Sequence, residues 1–192
     1  MTESPGAVKR PAVVSVILAF VYYFFNHVVT RIPLYSVRHA YLRRILRMRI
    51  GEGSSVHMGC FMTGRNISIG RNSVINRNCY LDGRVGIEIG NNVGVSPEVY
   101  VLSLTHDVYD EQFGTIGAKV ILEDYVWIGA RAMLMPGIRL SEGCVVGAGS
   151  VVTKSFEKYS IIAGVPAREI GRRAIAPKYS LRYFPYFDTD VQ

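Results

Sequence analysis

From Leu122 to Val152 the aliphatic residues Leu122, Ile128, Leu134, Leu140, Val146 and Val152 recur every six positions. The smaller Val126, Ala132, Ile138, Cys144 and Ser150 each follow four positions after one of the first five. A helix turns once in 3.6 residues and would scatter that spacing around its circumference, and a continuous strand would accept residues two or four apart as readily. The double period predicts a parallel β-helix, in which each hexapeptide lays down one short strand and one turn and three hexapeptides make a coil around a narrow apolar core. Gly129, Gly137, Gly143, Gly147 and Gly149 fall at the turns, where a residue tolerant of positive φ is wanted. Upstream, Ile69, Ile75, Leu81 and Ile87 keep one six-residue register, Ile89, Val95 and Val101 a second, and Ile50, Val56 and Met62 a weaker one. The step from Val101 to Leu122 is three residues more than a multiple of six, so a segment is inserted there. It contains His106, Asp107, Asp110 and Phe113 and predicts a loop, 106–119, projecting from one edge of the coil.

The chain divides accordingly into a helical extension (1–49), the β-helix (50–165) and a basic, aromatic tail (166–192). In the extension, Ala12 to Val29 are almost uninterruptedly apolar or aromatic, at the lower edge of the length that spans a bilayer, and follow Lys9 and Arg10. After Pro33, Leu34, Val37, Tyr41, Ile45 and Met48 recur at helical spacing among Arg38, Arg43, Arg44, Arg47 and Arg49, which predicts a basic amphipathic helix. One reading of 12–49 is a membrane-surface anchor whose arginines meet lipid phosphates, and the other is a pair of helices packed on the end of the coil or on a neighbouring subunit. Arginines just after the first helix favour the cytoplasmic side, at the inner face of the plasma membrane. The tail aromatics Tyr179, Tyr183, Phe184, Tyr186 and Phe187 are expected to fold back onto the coil.

A chain of 192 residues, 49% hydrophobic and 19% charged, holds one substantial core and is not disordered. The net charge of +7 sits at both ends of the coil, but no nucleic-acid-binding motif accompanies it, so no nucleic acid is expected as a partner. Cys60, Cys79 and Cys144 form no Cys-x-x-Cys pair, and the last two hold inward positions, as reduced packing residues do. Only His57 and His106 fall among the repeats, too few histidines for a three-histidine zinc site, so no metal is expected. A cluster of His106, Asp107 and Asp110 reads more simply as a solvated loop, and His57 as a turn residue. His106, at the exit of a strand and before the insertion, is the candidate general base: an imidazole takes a proton from a hydroxyl near neutral pH.

The strings Asn76-Arg77-Asn78-Cys79-Tyr80-Leu81-Asp82-Gly83, Leu104-Thr105-His106-Asp107, Val126-Trp127-Ile128-Gly129, Val146-Gly147-Ala148-Gly149-Ser150-Val151-Val152-Thr153-Lys154 and Ala163-Gly164-Val165-Pro166-Ala167 carry a resemblance over about Ile67 to Ile170. In them the chain resembles the hexapeptide-repeat acyltransferases, and among these the sugar O-acetyltransferases related to galactoside and maltose acetyltransferases and to those that decorate bacterial surface polysaccharides. The resemblance implies a left-handed coil, a homotrimer with sites between subunits, acetyl-CoA as co-substrate and a saccharide acceptor. His106 matches the family's general base, and Asn76 and Trp127 match residues at the acceptor site. Asp82 is expected beside them by coil stacking. Ala130 and Ala148 match contacts to the pantetheine arm, and Thr153, Lys154 and Arg168 match positions near the nucleotide end of coenzyme A. Arg84 stands where the galactoside enzymes carry an acid, so their sugar contacts do not transfer. Serine or a streptogramin-type antibiotic as acceptor, and a non-catalytic trimeric scaffold, are the competing readings.

Overall fold

The computed structural model describes residues 11–190, so Lys9 and Arg10, the cations ahead of the apolar run, lie outside it. Helix α1 (Ala12–His27) ends in a 3-10 turn (Val29–Arg31), and after Pro33 comes the short α2 (Tyr35–Ala40), which widens into one π turn (Tyr41–Ile45). The coils follow in triplets of strands. They are β1–β3 (Arg49–Ile50, Ser55–Val56, Phe61–Thr63), β4–β6 (Ile67–Ile69, Val74–Ile75, Tyr80–Asp82) and β7–β9 (Ile87–Ile89, Gly94–Val95, Tyr100–Val101). A hairpin of β10 (Leu104–His106) and β11 (Thr115–Gly117) interrupts them. Two further coils, β12–β14 (Val120–Leu122, Trp127–Ile128, Met133–Leu134) and β15–β17 (Arg139–Leu140, Val145–Val146, Val151–Val152), lead to β18 (Ser160–Gly164) and β19 (Ala167–Arg172).

Strands of successive coils pair in parallel into three sheets: β1-β4-β7-β12-β15, β2-β5-β8-β13-β16-β18 with β19 added antiparallel, and β3-β6-β9-β14-β17. These are the three faces of a left-handed parallel β-helix. The six-residue pattern states the register directly. Leu122 pairs with Leu140, Ile128 with Val146 and Leu134 with Val152, each aliphatic residue lying over its counterpart one coil away. All six are buried, as are Val126, Ala132, Ile138, Cys144 and Ser150. Each large aliphatic side chain so buried contributes roughly 1.5–3 kcal/mol. Ile89 pairs with Leu122, 33 positions on, against 18 from Leu122 to Leu140, so the hairpin adds 15 residues to an ordinary coil. Two of the five repeat glycines serve another purpose than positive φ: a Cβ on Gly129 would lie 2.5 Å from the Ala148 nitrogen, and one on Gly147 would lie 3.0 Å from the Ala163 Cβ. They are required by close approach between coils.

The open edge of the first coil is closed by the helices. The Asn26 amide pairs with Met62 as a strand would, accepting its N–H and donating to its carbonyl at 2.9 Å each. Thr30 donates to the Cys60 carbonyl, His39 Nε2 accepts the Val56 N–H, and Arg38 Nε donates to the Val56 carbonyl. An unpaired sheet edge is thus satisfied by side chains. The expected amphipathic helix is shorter than its sequence pattern and faces the other way: Leu34, Val37 and Ile45 are 49%, 39% and 53% exposed, while Arg38, His39, Leu42 and Leu46 are buried. Both helices therefore pack on the coil, as one of the two readings held, and their outer side remains apolar, with Val13, Val16, Ile17, Phe20 and Tyr23 of α1 all exposed.

The tail folds back along the second face toward the first coil. The Tyr179 ring meets Tyr125 edge-on, Leu181 N–H donates to Asn92 Oδ1, Tyr183 stacks on His57, and Phe184 meets Tyr35. It ends in a buried charge cluster. Asp188 accepts from Arg38 at 2.9 Å, from His57 Nδ1 at 2.6 Å and from the Met58 N–H, and its backbone carbonyl accepts from Arg77. Burial alone would raise the Asp188 carboxyl, but these partners hold it below the ordinary aspartate value. His57 is therefore a fully buried side chain of the second sheet and not an open turn residue, because an acid 131 positions away pairs with it.

Candidate active site

His106 closes β10 and is exposed on the hairpin, opposite Thr115. Its Nδ1 lies 2.9 Å from the Phe113 carbonyl oxygen, and the two rings stack at 4.4 Å and 5°. A carbonyl can only accept, so Nδ1 carries the proton of the neutral ring and Nε2 keeps its lone pair, facing away. Phe113 holds that carbonyl in place through a left-handed backbone (φ 51°), a conformation bulky residues rarely adopt and one that clusters at functional sites. The acids of the hairpin build its turn. Asp107 accepts the Tyr109 N–H, and Asp110 accepts the Gln112 and Gly114 N–H groups. No cluster of metal-ligating side chains occurs among the described residues.

Asp82 departs from the sequence expectation. It ends β6 on the third sheet, away from Asn76 and Trp127 on the second, and is buried. Its oxygens accept from Arg84 Nε at 2.8 Å, an Arg84 terminal nitrogen at 2.9 Å and Thr63 Oγ1 at 3.0 Å. Burial would raise its carboxyl, but Arg84 and Thr63 hold it below the usual value. With both oxygens occupied it is a positioning group. The corner it fixes carries Val85, whose N–H donates to Ser103 Oγ at the foot of the hairpin and whose Cγ2 lies 2.8 Å from where a Cβ on Gly117 would stand.

Asn76 and Trp127 do come together. They line a cavity of about 310 Å³ on the second face with Ser96, Leu181, Arg182 and Tyr183. Trp127 is 48% exposed and pairs with Gly94 and Val145 along the sheet.

Ala130 and Ala148 stack on consecutive coils, the Gly149 N–H donating to the Ala130 carbonyl at 2.8 Å. With Gly129, Gly147 and Gly149 they leave a shallow strip without large side chains. The amides of Ala130 and Ala148 donate to no acceptor among the described residues, as suits a wall for an extended chain of amides. Arg168 on β19 pairs opposite Ala163, near that strip, whereas Thr153 and Lys154 lie across β17 at the next corner, exposed. Lys154 is held over the Phe156 ring at 5.5 Å. Sequence reasoning missed Phe113 and the tail residues Leu181 to Tyr183. The turn residues around Asp110 hinted at the first, while nothing local announces the second.

Residues 119–154 match a family model described as the hexapeptide repeat of succinyl-transferase. The chain is 34% identical over 125 residues to galactoside O-acetyltransferase of Escherichia coli K12, covering 63% of this chain and 62% of that one. It spans about half to three fifths of the length of the curated relatives first matched. Among solved structures, AntD of Bacillus cereus, an N-acyltransferase in complex with dTDP and 3-hydroxybutyryl-CoA, superposes with a TM-score of 0.62 at 31% identity, covering 66% of this chain and 72% of that one. A maltose O-acetyltransferase of Clostridium difficile 630 superposes at 0.68 with 28% identity, covering 82% and 84%. The coil with its inserted hairpin defines a β-helical transferase scaffold, and the chain belongs to the hexapeptide-repeat acyltransferase family.

Proposed function

We propose that the chain is an acetyl-CoA-dependent O-acetyltransferase that acylates a sugar hydroxyl, on a bacterial surface-polysaccharide precursor. The observation that carries the reading is the His106 ring, whose Nδ1–H is committed to the Phe113 carbonyl so that Nε2 is left as the base. Acetyl-CoA supplies the acyl group already activated as a thioester. His106 Nε2 takes the proton of the acceptor hydroxyl as its oxygen attacks the thioester carbonyl, and returns it to the departing coenzyme A sulfur. No covalent acyl-enzyme is needed. Ala130 and Ala148 would line the pantetheine arm, and Thr153, Lys154 and Arg168 the phosphates at its nucleotide end.

In one chain His106, the Asn76–Trp127 cavity and the small-residue strip occupy different parts of the coil. A homotrimer that joins them at subunit boundaries is the assembly this reading requires. Residues 12–49 would hold it at the cytoplasmic face of the membrane. The 20-residue helical run Ala12–Arg31 has a mean hydropathy of 2.0 and is 17% buried, with arginines close by. A second reading, N-acylation of an amino sugar, is favoured by the likeness to AntD, which was solved with dTDP-4-amino-4,6-dideoxyglucose. Incubation with acetyl-CoA and a panel of saccharides, amino sugars, serine and streptogramin separates these readings: an alkali-labile acetyl ester on a saccharide supports the first, and an acetamide on an amino sugar the second. Coenzyme A that does not bind at all returns the chain to the class of scaffolds.

A further inference from the structure

The tail does more than cover the coil. Between Tyr179, held on Tyr125, and Asp188, buried under the first coil, it crosses the second face and forms one side of the cavity that holds Asn76 and Trp127. Gly94 sets how closely it approaches: a Cβ there would lie 3.1 Å from Trp127 Cδ1 and 3.2 Å from Leu181 Cδ2, so the indole and the tail leucine close over the same spot. The latch is strong where it need not move. Asp188 has four partners, and Arg77 also pairs with Asp190 at 2.8 Å, which in turn accepts the Tyr183 hydroxyl. The cavity chemistry is that of a polar ring ligand: an aromatic platform from Trp127, neutral hydrogen-bonding groups from Asn76 and Ser96, and one guanidinium, Arg182. Arg182 is the only charged side chain lining that cavity and has no ion pair among the described residues. A guanidinium at the rim of an otherwise neutral pocket favours a carboxylate or phosphate, which it can meet through two parallel N–H groups.

We propose that the C-terminal strap is part of the acceptor site, with Leu181 packing against the sugar beside Trp127 and Arg182 selecting saccharides that bear an anionic group. The proposal rests on the reading of Asn76 and Trp127 as acceptor contacts and deepens it. Asp188 is a positioning residue for the strap.

Trp127 is the chain's one tryptophan, so its fluorescence reports this cavity directly without acyl transfer. The full-length protein is titrated with maltose, glucose 1-phosphate and glucuronate, a neutral sugar, a phosphate and a carboxylate. The expected result is a saturable change with at least one anionic sugar, about tenfold or more tighter than maltose, as a charge-assisted hydrogen bond provides. Arg182→Ala, an exposed change, should erase that preference and leave coenzyme A affinity unaltered. Gly94→Ala should weaken neutral and anionic sugars alike by narrowing the gap between Trp127 and Leu181. No response to any of the three sugars, equal binding of neutral and anionic ones, or a preference that survives Arg182→Ala would each overturn the proposal. Loss of coenzyme A binding in the unaltered protein would instead sink the acetyltransferase reading and leave the sugar titration to stand by itself.

Discussion

His106 illustrates how one side chain acquires a chemical role from its neighbours. A histidine on an open loop would exchange tautomers freely, whereas here the Phe113 carbonyl fixes the proton on Nδ1 and the stacked ring fixes the plane. Its candidacy was legible because it stands at the entry to the one large break in the hexapeptide rhythm. Phe113 was not, since nothing in the string Asp110-Glu111-Gln112-Phe113-Gly114 says which carbonyl will face the imidazole. The inward cysteines were legible from register alone. The Cys144 thiol, pushed up to about 11 by burial, is the inert packing group its position implies. At this scale the small-residue strip gives a direct prediction. Ala148→Leu is exposed and should leave folding intact, yet should weaken acetyl-CoA binding roughly tenfold or more by crowding the wall, as calorimetry would measure. Unaltered affinity would remove Ala148 from the donor site.

Among elements, the strands were readable and the helical extension only partly so. Positions 34, 37, 41, 45 and 48 and positions 38, 42 and 46 are both helical stripes, and the sequence offers no local reason to choose the second, which contains an arginine. What decides it is Asp188, which draws Arg38 inward from the far end of the chain. The π turn at Tyr41–Ile45 then brings Leu42 and Leu46 onto the coil. Leu42→Ala should therefore cost about 2–5 kcal/mol in a denaturant titration, and Ile45→Ala little. The reverse order would restore the amphipathic face that the arginines first suggested. Removing Asp188 leaves Arg38 buried without its partner, and Asp188→Ala should cost about 3–5 kcal/mol.

The same cluster makes the whole molecule sensitive to acid in two stages. His39 is buried and neutral, its folded value pushed down to about 4 by burial and by Arg43 and Arg38. The unfolded chain binds that proton near 6.5, so stability should drain as pH falls from about 6.5 to 4, by at most about 1.4 kcal/mol per pH unit for one group. Asp188 is depressed, so its contribution is complete above the ordinary aspartate range and is lost as pH falls below about 4. A melting temperature flat from pH 7 to 4 would contradict both assignments. The six-residue period was the largest structural fact in the sequence because the β-helix repeats one environment per coil, so local pattern and global fold coincide. The strap and the capping helices break that rule: they act through contacts between the two ends of the chain, which no period records.

The central claim is that His106 is the base of an acetyl transfer to a saccharide. The measurement that tests it most directly is acceptor-dependent thiol release from acetyl-CoA by the intact protein and by His106→Ala, with coenzyme A affinity measured on both. The account predicts release with a saccharide, a fall in kcat of about 10²–10⁴ in the variant, and equal coenzyme A affinity. Turnover in His106→Ala within a few-fold of the unaltered protein would contradict it.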